Sequence, residues 1–202
     1  IRRALRVRSM NILYLDTSQN VLTVGVLAGG RNFPRTADAG KNGHTRILMG
    51  EIDAALNEAG VDVGELDAVA AVTGPGSFTG IRIGAATAAA ICRGTGAKKI
   101  AVTEFELIAY DRGTVNAAVE AGRGNLYCAH CRNGAAEETY FLSAEERADA
   151  EREGGFVYDT VRDRAQVFAE IALKKAESGE YAAAFEPFYM RKSQAERAQD
   201  EV

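Results

Sequence analysis

A glycine-rich segment at residues 74–84, GPGSFTGIRIG, most constrains how this 202-residue chain can fold. It follows an apolar run at residues 66–73 that is typical of a buried strand, and it leads into an alanine-rich helix that continues to about Arg93. Glycines at a strand–helix junction permit positive φ angles and close backbone approach. Either this helix packs very close to a sheet or another helix, or the loop presents N–H groups to an anion. No Gly-Lys-Ser/Thr follows, so the segment is not a nucleotide-binding P-loop.

The same order of strands and helices is predicted in both halves of the chain. In the first half we expect strands at residues 11–16, 21–28 and 32–37, a helix at 44–59, the strand and helix around the glycine-rich segment, a strand at 99–103 and a helical turn at 104–110. In the second half we expect strands at 114–121, 125–132 and 137–142, a helix at 143–153, a strand at 156–158 and a helix at 160–177. Pro34 favours an edge position for the third strand.

This order predicts a mixed α/β fold. Strand-strand-strand-helix-strand-helix, repeated without residue-level similarity, resembles the actin-like fold (ASKHA, with a ribonuclease H-like motif), in which two similar lobes flank a cleft. We assign residues 10–104 to the first lobe and residues 105–191 to a second, smaller lobe. Residues 1–9 carry four arginines and no acid, and we interpret them as a cloning scar, a tag or a misplaced start, with a targeting peptide as the alternative. Residues 192–202 form a charged tail that we expect to be loose.

Net charge and cysteine content limit which binding partners and which cellular compartment are expected. Without residues 1–9, 20 basic residues face 28 acidic ones, and the net charge becomes −8. A chain this acidic is not expected to bind nucleic acid tightly unaided. No apolar run approaches the ~20 residues of a membrane span. Three cysteines without a signal peptide favour a reducing, cytoplasmic location.

Candidate metal ligands are few. Cys128 and Cys131 flank His130 in a CxxC pattern, but residues three apart on a strand point to opposite faces. Zinc or redox chemistry there is the alternative, and we expect neither. His44 has no second ligand at helical spacing, because Leu48 occupies the position four residues on. We therefore expect no metal and no cofactor.

Other polar residues give weaker signals. Asp16, Thr17 and Ser18 end the first strand and are a weak nucleotide candidate, since no glycine follows them. Ser77 lies outside a GxSxG elbow and has no assignable histidine base, so nucleophilic catalysis has no support. Arg82 is placed in the first turn of the second helix, where it either binds an anion or an acidic partner, or is solvated.

The glycine-rich segment closely resembles the hallmark loop of the TsaB (YeaZ) family, subunits of the bacterial machinery that makes N6-threonylcarbamoyladenosine (t6A37) in tRNA. The residues that carry this resemblance are Gly74, Pro75, Gly76, Ser77, Phe78, Thr79 and Gly80. Four further segments are similar to family motifs in the same order: MNILYLDTS from Met10, HTRIL from His44, EAGRGNLY from Glu120 and FEPFYMR from Phe185. The resemblance covers about residues 10–191.

The resemblance implies a non-catalytic scaffolding subunit. It implies an actin-like fold and binding to TsaD, a paralogue that carries the catalytic site and holds its metal with an HxxxH pair. It also implies self-association as a homodimer through the same surface, recruitment of the ATPase TsaE, and contact with tRNA only through the complex. The expected interface comprises His44, Ile47, Leu48, Glu51, Ile52, Ala55, Arg82, Ala85, Ala86 and Ala89. An active actin-like ATPase or acyltransferase is the alternative.

Overall fold

The computed structural model describes residues 10–40, 43–153, 156–158 and 163–190. The predictions for residues 1–9 and 192–202 lie outside the described residues. The first half contains β1 (Ile12–Asp16), β2 (Val21–Ala28), β3 (Arg31–Asp38), α1 (His44–Ala59), β4 (Ala68–Val72), α2 (Phe78–Thr95), β5 (Lys98–Val102) and α3 (Glu104–Ala109). The second half contains β6 (Thr114–Gly122), β7 (Asn125–Arg132), β8 (Ala135–Leu142), α4 (Ala144–Glu153), β9 (Phe156–Tyr158) and α5 (Arg164–Ser178).

The strands form two sheets of related topology. The first has the order β3-β2-β1-β4-β5, in which β1, β4 and β5 are parallel and β2 and β3 are antiparallel to their neighbours. The second has the order β8-β7-β6-β9, again with an antiparallel meander and one parallel strand beside the first. The repeated order of elements and the mixed α/β, actin-like fold predicted from the sequence are confirmed. Pro34 lies on the edge strand β3, as expected.

Helices cover the first sheet on both faces. Leu48 and Ile52 of α1, together with Ala88 of α2, pack into the cluster that contains Leu13 and Leu15 of β1. The opposite face is covered by α5, whose Phe168 ring lies 5.1 Å from the ring of Tyr14. α5 therefore belongs to the core of the first sheet, although the chain reaches it only after the second sheet. Packing thus crosses the lobe boundary that we place at residues 104 and 105.

The second sheet has smaller clusters on its faces. On one face Phe105 and Ile108 of α3 pack against Ala117, Ala129 and Cys131. The other face holds Ala118, Leu126 and Cys128. The two cysteines of the CxxC pattern thus lie on opposite faces of β7, as strand alternation predicts.

Helix ends explain most element boundaries. α1 stops at Gly60, which adopts φ 65°. Ser143 and Glu146 form the predicted capping box at the start of α4, with Ser143 N donating to Glu146 Oε2 at 2.8 Å. α2 begins at Phe78, capped by Ser77, so Arg82 lies in its second turn and not in the first as predicted. None of the helices in the described ranges combines the length and apolar composition needed to span a bilayer.

Candidate functional site

Three strands of the first sheet end at one edge. Because β1, β4 and β5 are parallel, their carboxyl ends bring Asp16, Thr73 and Glu104 to the same side of the molecule. Asp16, Thr17 and Ser18, the weak nucleotide candidate, are all buried there. Glu104 is fully buried as well. A carboxylate removed from water needs charged or hydrogen-bonding partners.

Arg164 supplies the charge that the two carboxylates need. Its Nη2 lies 2.7 Å from Asp16 Oδ2 and 2.5 Å from Glu104 Oε2. Its Nε donates to Asp16 Oδ2 at 2.8 Å. The other Asp16 oxygen accepts from Ser18 N at 2.8 Å, and Ser18 Oγ donates to Glu104 Oε2 at 3.3 Å. While this network holds, Asp16 is engaged with the chain's own guanidinium and is not available as a general base or as a ligand for a phosphate-bound metal ion.

The glycine-rich segment packs against the turn that follows β1. A Cβ at Gly80 would collide with Thr17 O, and one at Gly84 would collide with Thr17 Oγ1. At Gly76 a Cβ would lie 2.7 Å from Ser18 O. Two hydrogen bonds hold this approach, from Thr17 Oγ1 to Gly80 O at 2.7 Å and from Ser77 N to Ser18 O at 2.8 Å. Of the two alternatives for this segment, tight packing is therefore what the structure contains.

A cavity of about 330 Å³ lies where the N-termini of α1 and α2 meet, and it gives the anion-binding alternative a defined place. Its lining residues are Gln19, Asn20, Gly40, His44, Thr45, Ser77, Thr79, Gly80 and Ile83. His44 is buried, and its Nε2 makes no hydrogen bond. Within the described ranges, no group of three or more His, Cys, Asp or Glu side chains is arranged to hold a metal ion.

Arg82 contacts two aromatic side chains. Its guanidinium lies 3.9 Å from the centre of the Phe78 ring, and its Nε donates to the Tyr189 hydroxyl at 2.8 Å. Phe78 and Tyr189 also stack, with their centres 4.5 Å apart. The late FEPFYMR segment thus returns to the glycine-rich segment, and Phe188 N donates to Thr73 O at 2.8 Å. Arg82 is therefore exposed but stacked within the chain, an arrangement that the sequence did not suggest.

The predicted interface residues divide into two groups. Leu48, Ile52, Ala55 and Ala85 are buried in the first-sheet core, where a partner cannot reach them without unfolding the lobe. That part of the predicted surface is corrected to core, because these side chains lie on the inner faces of α1 and α2. His44 is also buried. The outer surface retains Ile47, Glu51, Arg82, Ala86 and Ala89, of which Arg82 and Ala86 are the most exposed.

Sequence reasoning missed Glu104 and Arg164. Glu104 follows β5, so the rule that parallel strands end at one edge would have brought it beside Asp16. Arg164 had no such signal, because an ion pair across 148 residues leaves no local pattern.

Sequence comparisons relate the chain to tRNA-modification proteins. A family model described as TsaD: tRNA N6-adenosine threonylcarbamoyltransferase matches residues 34–159, more than half of the chain. A tRNA threonylcarbamoyladenosine biosynthesis protein TsaB from Haemophilus influenzae is 28% identical over 127 residues, which are 60% of this chain and 53% of that protein. A tRNA N6-adenosine threonylcarbamoyltransferase from Rhodopseudomonas palustris is 46% identical over 63 residues, 31% of this chain and 17% of that enzyme. The chain thus spans about half the length of the first relative and less of the second.

A solved structure, YeaZ from Pseudomonas aeruginosa, has the same fold. It superposes with a TM-score of 0.74 at 24% identity and covers 90% of this chain and 100% of that chain.

Proposed function

The chain belongs to the TsaB (YeaZ) family, and from this premise we propose that it is a non-catalytic scaffolding subunit of the bacterial t6A37 machinery. In this role it binds and stabilises a TsaD catalytic subunit. The observation that carries the non-catalytic part is the ion pair of the fully buried Asp16 with Arg164, 2.7 Å apart. A buried acid already paired within its own chain is a poor starting point for ATP hydrolysis or acyl transfer.

The outer face of α1 and α2 supports the binding role. Ala86 and Ala90 of α2 are exposed, and Ile83 and Ala89 beside them are partly exposed. Small side chains on an exposed helix face allow a second helix to approach closely. Since Ala85 and Ala88 of the same helix pack inward, the small residues of α2 serve both a core and a surface.

The other proposed partners are inferred from the outer face of α1 and α2 and from the net charge of the chain. We propose that the free chain self-associates as a homodimer through the outer face of α1 and α2, and that TsaD displaces the second copy. TsaE would join the TsaD-bound complex. The net charge of −8 outside residues 1–9 gives little attraction for phosphates, so contact with tRNA would come through the complex, in the cytoplasm.

Ala86→Arg tests this proposal. The variant should melt like the wild type, because the side chain at position 86 projects into solvent. It should also lose at least about 10-fold in affinity for TsaD of the same organism, since a charge at the centre of an interface costs a few kcal/mol. Thermal melting and complex mass should be measured on the same sample.

Ala148→Arg is the matched control, because Ala148 is an exposed helical alanine on α4. It should assemble normally. Normal assembly by Ala86→Arg would contradict the interface, and steady metal-dependent ATPase turnover by the chain alone would favour the active-enzyme alternative.

A further inference from the structure

Two long helices of the first half begin at one cavity. This cavity of about 330 Å³ lies where the N-termini of α1 and α2 meet. We infer that it binds a small oxyanion, a carboxylate or a phosphate group, and that His44 donates a hydrogen bond to that anion. The inference goes beyond the proposed binding to TsaD and does not depend on it, because the anion binds to the chain alone.

The N-terminus of α1 has no side-chain cap. Its N-cap residue is Gly43, where a Cβ would collide with the carbonyl oxygen of Ala39, so a capping serine or aspartate cannot occupy this position. The N–H groups of His44 and Thr45 have no acceptor among the described residues. The first turn also lacks an acidic residue, so no carboxylate of α1 itself compensates the positive end of the helix dipole.

The N-terminus of α2 adds a second positive helix end. Its first turn has no acidic residue, and its side-chain cap is Ser77, which accepts from Gly80 N at 3.2 Å. The hydroxyl-bearing Thr45 and Thr79 line the cavity together with two side-chain amides. None of the described lining residues is Asp, Glu, Lys or Arg. A lining without charged side chains, at the positive ends of two helices, attracts an anion and repels a cation.

His44 supplies the side-chain donor of the site. It lines the cavity, it is 8% exposed, and its Nε2 has no hydrogen-bond partner among the described residues. A buried polar nitrogen without a partner destabilises the fold, so a ligand atom that pairs with it contributes to binding. An oxygen of the anion accepts from Nε2–H, since both helix ends favour negative charge there. A metal ion fits less well, because the described ranges hold no group of three or more side chains arranged as metal ligands.

The cavity is separate from the ion pair of Asp16 with Arg164. Side chains alternate along β1, so that Leu15 packs on the side of α1 and α2, whereas Tyr14 packs on the side of α5. Asp16 follows the alternation of Tyr14 and pairs with α5. All described lining residues of the cavity fall between positions 19 and 83. The anion site therefore lies within the first half and is not part of a cleft between the two halves.

Titration of the full chain with acetate and with inorganic phosphate, each against chloride at matched ionic strength, tests the inference. The amide resonances of Thr45 and Thr79 in ¹H–¹⁵N NMR spectra should shift and saturate with a Kd of roughly 1–10 mM, as expected for so small an anion. The anion with the lower Kd identifies whether the cavity takes a carboxylate or a phosphate group. Absence of a saturating shift with either anion up to about 50 mM overturns the inference.

Replacement of His44 tests its role as the donor. His44→Leu should raise the Kd at least about 10-fold, because it removes the donor and fills its place with an apolar side chain. His44→Gln, whose amide can still donate, should raise the Kd less. His130→Leu is the matched control and should bind like the wild type, because His130 lies on β7 and does not line the cavity. Wild-type affinity in folded His44→Leu overturns the inference.

A second pair of variants covers poor folding of His44→Leu. Thr79 is exposed, and Thr79→Glu places a carboxylate of the chain at the N-terminus of α2, where it competes with the added anion. This variant should fold and bind at least about 10-fold more weakly, read from the Thr45 resonance, whereas the neutral Thr79→Gln should stay within about 2-fold of the wild type. Equal affinity of Thr79→Glu and Thr79→Gln shows that the anion binds elsewhere and overturns the inference.

Discussion

The two sheets share one order of elements but differ in how completely they are buried. Every residue of β1 and β4 is buried, whereas five consecutive residues of β8 are exposed. The difference arises because α5 leaves the second half and covers the first sheet, while α4 is a largely polar helix with weak packing. Repetition of topology thus does not give the two sheets equal burial, and the more deeply buried half also carries the proposed binding surface.

The largest difference between the two sheets is expected when one phenylalanine of each half is replaced by alanine. Phe168→Ala on α5 removes a fully buried ring and should lower the free energy of unfolding by about 3–5 kcal/mol. Phe141→Ala on β8 removes a partly exposed ring and should cost about 1–2 kcal/mol. Urea unfolding of both variants measures the difference. Equal losses would mean that the second sheet is as tightly packed as the first.

The buried thiols of the two halves should lose their contributions to stability to different extents at high pH. Burial raises the pKa of Cys128, in the second sheet, to about 11 from a usual value of 9.0. The neutral thiol is favoured in the folded state, so its stabilisation is fully present below pH 9 and is lost as the pH rises towards 11. The cost of Cys128→Ala, measured by urea unfolding, should therefore shrink by about 1–2 kcal/mol between pH 7 and pH 10.5.

Cys92→Ala on α2, which packs against the first sheet, is the comparison for that measurement. Burial also raises the pKa of Cys92, but Lys99 and two backbone hydrogen bonds oppose that shift, whereas Arg147 alone opposes the shift at Cys128. The cost of Cys92→Ala should therefore shrink less. A cost of Cys128→Ala that stays constant with pH would show that the thiol ionises equally in both states.

The smallest expected difference in stability is between the removal of two helix caps, one in each half of the chain. Thr103 caps α3 by accepting from Glu106 N at 3.2 Å, and Glu106 is also paired with Lys175 of α5 at 2.6 Å. Ser143 caps the exposed α4 in the same way. Thr103→Ala should cost about 1 kcal/mol and Ser143→Ala about 0.5 kcal/mol, as read from melting temperatures. The reverse order would show that α4 contributes more than its packing indicates.

The sequence was informative where structure is local. α1, β7 and β9 have the predicted bounds, because hydrophobic period and terminal glycines define them within a few residues. The glycine-rich segment was located correctly, and its helix was recognised, although that helix begins within the segment at Phe78. Strand alternation also placed Cys128 and Cys131 on opposite faces.

Contacts between segments that are distant in the chain could not be predicted from the sequence. A run of alanines has almost no amphipathic signal, so nothing in it distinguished buried Ala85 from exposed Ala86. The return of α5 to the first sheet was likewise hidden, because its apolar positions fit either sheet. The partners of Asp16 depended on that return, and the site could be predicted only as far as the Asp16-Thr17-Ser18 turn.

The path of α5 has a consequence for synthesis of the chain on the ribosome. β1 emerges before every other described element, yet the helix that covers Tyr14 on that sheet face ends at Ser178. Contacts of such large sequence separation form late. One apolar face of the first sheet therefore stays uncovered until α5 has been translated. During that interval a nascent chain presents Ile12, Tyr14 and Ile100 to the surroundings, and a chaperone that binds exposed apolar strands has its longest opportunity there.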